Sequence, residues 1–172
     1  MLNPQKVTNY SVFRDGVMMI GVADITMPNL ANLTDTLKGS GLGGETDVPI
    51  QAHFQAFSIV INWHVVTDHA AFMAMQDGGS LDIWAAHQHR DSGTNRLVQR
   101  GWRYIIGTLP KGLNLGNLEV GAAGAASTEH ECVSVRALRD EVEMINYDKD
   151  NLICRVNGID YAAQIRQLIG RG

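Results

Sequence analysis

Apolar residues occupy every second position from Phe57 to Val65, the most regular alternation in this chain. A period of two predicts a strand with one face toward the core. Near the N-terminus, Asp15-Gly16 separates two apolar runs, and this dipeptide favours the positive φ angles of a tight hairpin turn. The second arm of this hairpin, Val17–Ala23, is apolar on both alternating faces, which predicts burial on both sides. In a chain this small, a neighbouring subunit is the natural cover for one of them.

Further apolar runs, separated by Gly-, Asp- and Asn-containing turns, predict that strands dominate the rest of the chain. They follow one another as hairpins and not as βαβ units, so we expect a mainly β protein with an antiparallel sandwich or barrel-like fold. These strands are Leu81–His89, Arg96–Leu109, Thr128–Arg139, Glu141–Tyr147 and Asn151–Asn157.

Two short helices are predicted between and after the strands. Thr67-Asp68 offers an N-cap for the first, whose apolar face is expected to hold Ala71, Phe72 and Met75. Asp160 is expected to cap the second, and Gly170 fits the position just past its end. The apolar face of this last helix is predicted to comprise Tyr161, Ile165, Leu168 and Ile169.

Two polar, glycine-containing segments interrupt this pattern. Residues 31–52 carry only isolated apolar side chains, and loops longer than about 12–15 residues are usually functional or disordered. We therefore predict a long projecting loop that has too few apolar groups to pack on its own domain. Pro110–Ser127, rich in Gly and Ala, is predicted to be a second long loop. The length of 172 residues is typical of one domain, so residues 1–172 are expected to form a single unit.

The composition argues against several classes of protein. A net charge of −4 disfavours a protein that grips nucleic acid by neutralising phosphates. No apolar run reaches 18 residues, so we expect no membrane span, and the first residues show no apolar core of a secretory signal. Cys132 and Cys154 lie in apolar strand-like runs and are interpreted as small core hydrophobes, with a disulfide as the alternative.

The surrounding sequence argues against each candidate for catalysis or for cofactor binding. Gly39–Gly44 satisfies G-x-G-x-x-G, but Pro49 opposes the helix that a dinucleotide site requires. His87 and His89 share a strand face and could chelate a metal, yet no third ligand stands at a zinc-like spacing. His130 lies between two glutamates, a neighbourhood that should favour its protonated form. We expect no catalytic, metal or cofactor site.

Three segments near the two ends of the chain have a distinctive order and wording: Tyr10–Asn29, the Gly-rich Lys38–Gln51 and Glu143–Arg171. With them the chain resembles the major tail tube protein of contractile phage tails. In that family a hairpin, a long flap and a closing strand and helix follow in this order. The resemblance extends to related tail-like bacteriocins. It implies a tail tube fold in which the flap is an extended hairpin that projects from one ring onto the next.

The resemblance also implies roles for particular segments. The hairpin Val12–Ala23 and the strand Phe57–Val65 would build the inner barrel and its backing core, and the segment from Asn157 would dock the last helix near a neighbouring subunit. Ring-to-ring contacts are expected at Lys38, Gly39, Ser40, Gly41, Leu42, Gly43, Gly44, Glu45, Thr46 and Asp47, and inner-barrel or subunit contacts at Val17, Met19, Ile20 and Val22.

Two pairs of glutamates, each expected on one strand face, are candidates for the wall of the tube. A general acid/base pair is the alternative interpretation. In a tube, a negative stripe would repel passing DNA, so we interpret the four as a possible lumen-facing acidic set. They are Glu129, Glu131, Glu141 and Glu143.

The expected function is that of a non-enzymatic subunit of the tube, found in the virion tail and assembled in the host bacterial cytoplasm. Stacked hexameric rings would form a hollow conduit through which DNA passes into the host without specific binding. The implied partners are further copies of the chain, the tail sheath protein, the tape-measure protein and the baseplate tube initiator. The alternatives are a secretion-system tube protein of similar architecture and a small-molecule-binding β-barrel.

Overall fold

The computed structural model describes residues 1–39 and 43–171. Strands dominate this part of the chain. It also contains two helices of 6 residues each, α1 (Asp68–Met73) and α2 (Ala163–Leu168). The strands are β1 (Leu2–Arg14), β2 (Val17–Met18), β3 (Val22–Thr26), β4 (Asn32–Leu37), β5 (Thr46–Phe54), β6 (Ser58–Trp63), β7 (Gly79–Asp91), β8 (Leu97–Asn114), β9 (Ala126–Arg139), β10 (Val142–Asp148), β11 (Ile153–Val156) and β12 (Ile159–Asp160).

Ten of these strands form one antiparallel sheet. Its main path runs β12-β11-β10-β9-β8-β7-β1-β2, and β6 pairs with the first half of β9 and with β3. Because β9 is shared by β6 and β10, the sheet folds over and encloses a core between its arms. The prediction of a mainly β, antiparallel fold with two short helices is confirmed.

The core follows the alternation of β6. Phe57, Ile59, Ile61 and Trp63 are buried, while the side chains between them are half-buried. The Trp63 indole N–H donates to Thr128 Oγ1 at 3.1 Å, so the largest core side chain leaves no unpaired donor. Partners from the facing strands complete this core, among them Val12, Leu81, Ile83, Ile106, Cys132, Val135 and Tyr147.

The first hairpin forms at Asp15-Gly16 as predicted, with Phe13 opposite Met18 and Arg14 opposite Val17. Its second arm, however, is not one continuous strand. The chain breaks at Gly21, whose φ is +88°, and β3 then leaves β1 to pair with β6. Val17, Met18 and Ile20 are exposed in the single subunit, so the subunit alone does not bury both faces of this arm, and cover by a neighbouring subunit stays a prediction.

Both predicted helices exist, but their faces differ from the prediction. Thr67 caps α1 by accepting from the Ala70 N–H, yet the buried residues are Ala70 and Met73 and not Ala71 and Met75. One turn of helix shows too short a pattern to fix its face. Asp160 is not the N-cap of helix α2. The N-cap is Ala162, two residues further along, and it makes no side-chain hydrogen bond. Asp160 instead accepts from the Ala162 N–H and from Arg166.

The two segments predicted as loops contain strands. In the first, β4 and β5 pair as a separate two-stranded sheet. In the second, β8 continues to Asn114 and β9 begins at Ala126, so the loop proper is residues 115–125. Pairing with β9 carries β8 through Pro110, because a bulge between Pro110 and Gly112 absorbs the irregularity.

Candidate assembly surfaces

The hairpin of β4 and β5 is exposed along all of β4 and along most of β5. Leu37 lies opposite Thr46 and Asp35 opposite Val48, so each pair shares one face of the hairpin. The alternation along β4 places Leu33 on the side of Leu37, and the alternation along β5 places Ile50 on the side of Val48, next to a register shift between Asn32 and Thr34. All four of these apolar side chains are exposed: Leu33, Leu37, Val48 and Ile50.

The opposite face of the hairpin is polar. Thr36 lies opposite Asp47 and donates its hydroxyl to the Asp47 carboxylate at 2.7 Å. Nearer the tip, Lys38 and Glu45 approach to 3.7 Å. The hairpin is therefore amphipathic, and its apolar side has no cover within the described part of the subunit.

The residues predicted to make ring-to-ring contacts lie at the far end of this hairpin. Ser40, Gly41 and Leu42 fall outside the described residues, and the others are exposed. A Cβ added at Gly39, Gly43 or Gly44 would meet no atom within 4 Å. Packing inside the subunit therefore does not require these glycines.

The four residues predicted for the inner barrel or a subunit contact divide into three kinds. Met19 is buried in the core of its own subunit, Val22 is half-buried on β3, and Val17 and Ile20 are exposed. Only the last two offer a large apolar surface to another molecule.

The long sheet has an open edge along β1. This strand pairs with β7 over its whole length, but on its other side β2 covers only Phe13 and Arg14. At the opposite end of the sheet lies β12, which is two residues long. Open strand edges can accept a strand from another chain, and Pro4 and Lys6 on β1 are residues that discourage random pairing there.

Three of the four predicted lumen-facing glutamates are paired with cations. Glu129 meets Lys111 at 2.8 Å, and Glu131 meets Lys149 at 2.9 Å. Glu143 binds both Arg136 at 2.7 Å and Arg155 at 3.3 Å. Glu141 lies in the turn before β10, with a φ of +67°, and so does not share a strand face with Glu143. These surfaces are therefore charge-balanced and not purely negative.

The hydrogen bonds in these pairs lower the pKa of two of the carboxyl groups. For Glu129 the main cause is the hydrogen bond from Lys111, followed by that from Ser58. For Glu143 burial opposes ionisation, but the bonds and charges of Arg136 and Arg155 outweigh it and hold its pKa below the ordinary value. Ion pairs of this kind explain the glutamates without an acid/base role.

A cluster that the sequence did not reveal lies on the outer side of the long sheet. Arg103 forms a two-pronged pair with Asp82, with N–O distances of 2.9 and 2.7 Å, and its guanidinium lies 4.3 Å from the centre of the exposed Trp84 ring. Strand pairing places β7 and β8 side by side here. The contacting residues are about 20 positions apart, so no local pattern could have indicated them.

The histidines show no arrangement for metal chemistry. His87 stacks on Trp102 with ring centres 5.7 Å apart, and His89 Nδ1 is 3.2 Å from the carbonyl oxygen of His87. In residues 1–39 and 43–171 no group of three or more His, Cys, Asp or Glu side chains is close enough to hold an ion. Both cysteines are free and buried, and burial followed by the charge of Glu131 raises the pKa of Cys132 to about 11, which disfavours its reactive thiolate form.

The prediction that His130 is readily protonated is wrong. Its ring is buried on the core side of β9, and its Nε2 has no hydrogen-bond partner. Burial first, and then the positive charge of Arg14, lower the pKa of His130 to about 4. The flanking glutamates point to the other face of the strand, so their influence is smaller than that of the core.

We expect acidification to destabilise the fold through His130. The unfolded chain takes up a proton at the ordinary pKa of 6.5 and the folded chain only near 4, so stability falls as the pH falls through this window. The loss is about 3 kcal/mol at most. Urea unfolding across this pH range would show it, and the substitution His130→Leu should remove it. Any pH dependence that remains in the variant would come from other groups, such as His87, whose pKa is lowered in both proteins. A pH slope equal to that of the wild type would contradict the assignment to His130.

Comparison with known proteins places the chain among the structural proteins of contractile phage tails. The family model described as phage tail tube protein FII matches residues 4–170, and the chain belongs to this family. The tail tube protein of Escherichia phage P2 is 24% identical over 175 residues, which cover 99% of each chain. The resemblance inferred from the terminal segments is thereby confirmed.

A solved structure has a related fold. It is the sheath/tube terminator of an extracellular contractile injection system, PVC, in its extended state. The TM-score is 0.53 at 13% sequence identity, over 78% of this chain and 96% of that chain. At this identity the likeness concerns the fold alone. Neither helix of the described residues is long and apolar enough to cross a membrane.

Proposed function

We propose that this chain is the repeating subunit of the inner tube of a contractile phage tail, acting as a single tail tube domain. Copies assemble into hexameric rings, the rings stack, and the hollow tube conducts DNA into the host. The observation that carries the proposal is the amphipathic hairpin of β4 and β5. It stands outside the core of a tail tube family fold, with four large apolar side chains exposed on one face.

The open edges of the long sheet support closure into a ring. If the unpaired side of β1 in one copy meets the other end of the sheet in the next, six sheets join into a continuous barrel around the lumen. Val17 and Ile20, exposed beside β1, would then lie at the subunit contact. Helix α2 supports this arrangement too, because Leu168 and Ile169 are exposed and would gain cover from a neighbour. Each stable contact needs roughly 1,000–2,000 Å² of buried surface.

The wall of the lumen is proposed to carry balanced charge. The glutamates 129, 131 and 143 are held in ion pairs, which leaves little net field to attract or trap a polyanion. DNA would slide past such a wall without specific binding. The sheath protein around the tube, the tape-measure protein inside it and the baseplate initiator below it complete the proposed set of partners, assembled in the host cytoplasm.

Electron microscopy tests the proposal directly. Negative staining of the purified protein over a concentration series is expected to show rings or hollow tubes of uniform diameter. Particles that remain monomeric at every concentration, with and without a baseplate fraction to initiate growth, would contradict it.

A further inference from the structure

Two unpartnered apolar surfaces lie at opposite ends of strand β6. The hairpin of β4 and β5 ends at Phe54, and Ser58, the first residue of β6, follows after three more residues. At its other end the chain continues through His64, Val65 and Val66 beside the loop of residues 115–125. Six residues of strand separate the two ends, a distance of about 20 Å.

The loop of residues 115–125, which we call the distal loop, has a defined shape. The Asn117 N–H donates to Gly124 O at 2.7 Å, and the Gly124 N–H donates to His64 O at 2.6 Å. At Gly116, whose φ is +72°, an added Cβ would lie 1.8 Å from Gly124 O, so only glycine fits there. The loop is folded back on itself and is tied to the end of β6.

This well-formed loop displays apolar side chains that nothing in the subunit covers. Leu118 and Val120 each have a relative exposure of 105%, the value of an isolated side chain. Leu115 of the same loop is exposed too, as are Val65 and Val66, which directly follow the His64 to which the loop is tied. Isolated exposed apolar residues are ordinary, but several large exposed apolar side chains on one loop and on the chain tied to it favour an interaction site.

We infer that the apolar face of the β4–β5 hairpin in one copy docks on the distal loop and Val65-Val66 of the next copy along the tube. The inference rests on the proposed function and names the surface that receives the hairpin. Since the two surfaces lie at opposite ends of one strand, docking them translates each copy along that strand. A contact between two different patches of the same chain is heterologous, and it propagates when it does not close.

The size of the hairpin fits this role. Between Ala31 and Gln55, 18 of the described residues are exposed, and one side of a stable interface takes about 20–30 residues. The hairpin thus supplies most of one side by itself. Its four apolar side chains face five on the receiving surface, Val65, Val66, Leu115, Leu118 and Val120.

Crosslinking between two singly substituted proteins tests the pairing. Ile50→Cys and Leu118→Cys proteins are mixed, allowed to assemble and treated with a short bis-maleimide. Cys132 and Cys154 are buried and do not compete. A product of twice the subunit mass is expected from the mixture and not from either protein alone. The control mixture contains Leu97→Cys instead of Leu118→Cys, because Leu97 is another exposed apolar residue. This mixture should give no crosslinked product with Ile50→Cys.

A second variant separates this pairing from the proposed function. Leu118→Asp with Val120→Asp is expected to form rings that no longer stack, whereas Leu118→Met should keep tubes. Tubes in the double variant, or tubes in which Ile50→Cys links to itself or to Leu97→Cys, would overturn the pairing and leave the tube function standing. A wild-type protein that forms neither rings nor tubes would overturn both.

Discussion

Removal of Gly39–Glu45 is expected to leave a folded subunit that no longer forms tubes. Gly39 and residues 43–45, the described part of this segment, contribute no residue to the buried core, and the strands that enclose the core do not pair with β4 or β5. The deletion shortens the hairpin and draws Leu37 and Val48 out of reach of a neighbouring copy. The expected effect is complete loss of polymer at concentrations where the wild type assembles, with little change in thermal unfolding.

Sedimentation and negative-stain microscopy measure the loss of assembly, and circular dichroism checks the fold. The deletion protein keeps its distal loop, so it should still add to one end of a growing tube and stop it. A small admixture is therefore expected to shorten wild-type tubes, whereas heat-denatured deletion protein should not. Tubes of normal length from the deletion protein, or an unfolded chain, would refute the role given to the hairpin tip.

Replacement of the buried Arg14 by methionine is expected to destabilise the subunit by about 3 kcal/mol. The Arg14 side chain is 4% exposed, and its guanidinium donates to the carbonyl oxygens of Phe72 and, at 2.8 Å, Gly78. It also lies 5.0 Å from the centre of the Phe72 ring. Arg14 thus ties helix α1 and the turn after it to the sheet, and methionine would leave both carbonyls without a donor.

Chemical denaturation of the Arg14→Met protein measures this loss. The matched control is Arg100→Met, since Arg100 forms a partly exposed pair with Asp140 at 3.2 Å and such pairs contribute less than about 1 kcal/mol. The positive charge of Arg14 also lowers the pKa of His130. The variant should therefore show a shallower fall of stability with acid than the wild type. Equal destabilisation by both substitutions would contradict the structural role of Arg14.

Local patterns predicted much of the fold correctly. The alternation from Phe57 to Trp63 gave the central strand and its buried face, and Asp15-Gly16 gave the first turn. These features depend on neighbours in sequence, where side-chain period and turn geometry act directly. The cap at Thr67 was predictable for the same reason.

Other features depend on residues far apart in the chain, and the sequence could not supply them. The apolar arm after Gly16 seemed continuous, yet Gly21 turns it away to pair with β6. The closure of the sheet buries Arg14 and His130, and no local pattern indicates the burial of either side chain. Three glutamates found their lysine and arginine partners on other turns and strands.

The candidate assembly surfaces were also predictable only in part from the sequence. The unusual texture of residues 31–52 was visible in the sequence, as was the need for a partner surface. The resemblance to the tail tube family implied that this segment is a hairpin. The residues alone did not show that the hairpin is amphipathic, because its apolar face becomes visible only when β4 lies opposite β5. The sequence predicted a loop in the region of the distal loop, but it did not indicate an assembly surface there, since Leu118 and Val120 lie in a Gly- and Ala-rich run without a period.

The sequence by itself determined several core strands, the two short helices, the antiparallel class and the membership of a tail tube family, because these follow from local periodicity and from the order of segments. Only the tertiary structure decided which apolar residues remain uncovered, which ionisable groups are buried and where the two exposed surfaces stand. Burial and pairing are properties of the closed sheet, in which each residue meets partners that the linear chain keeps far apart.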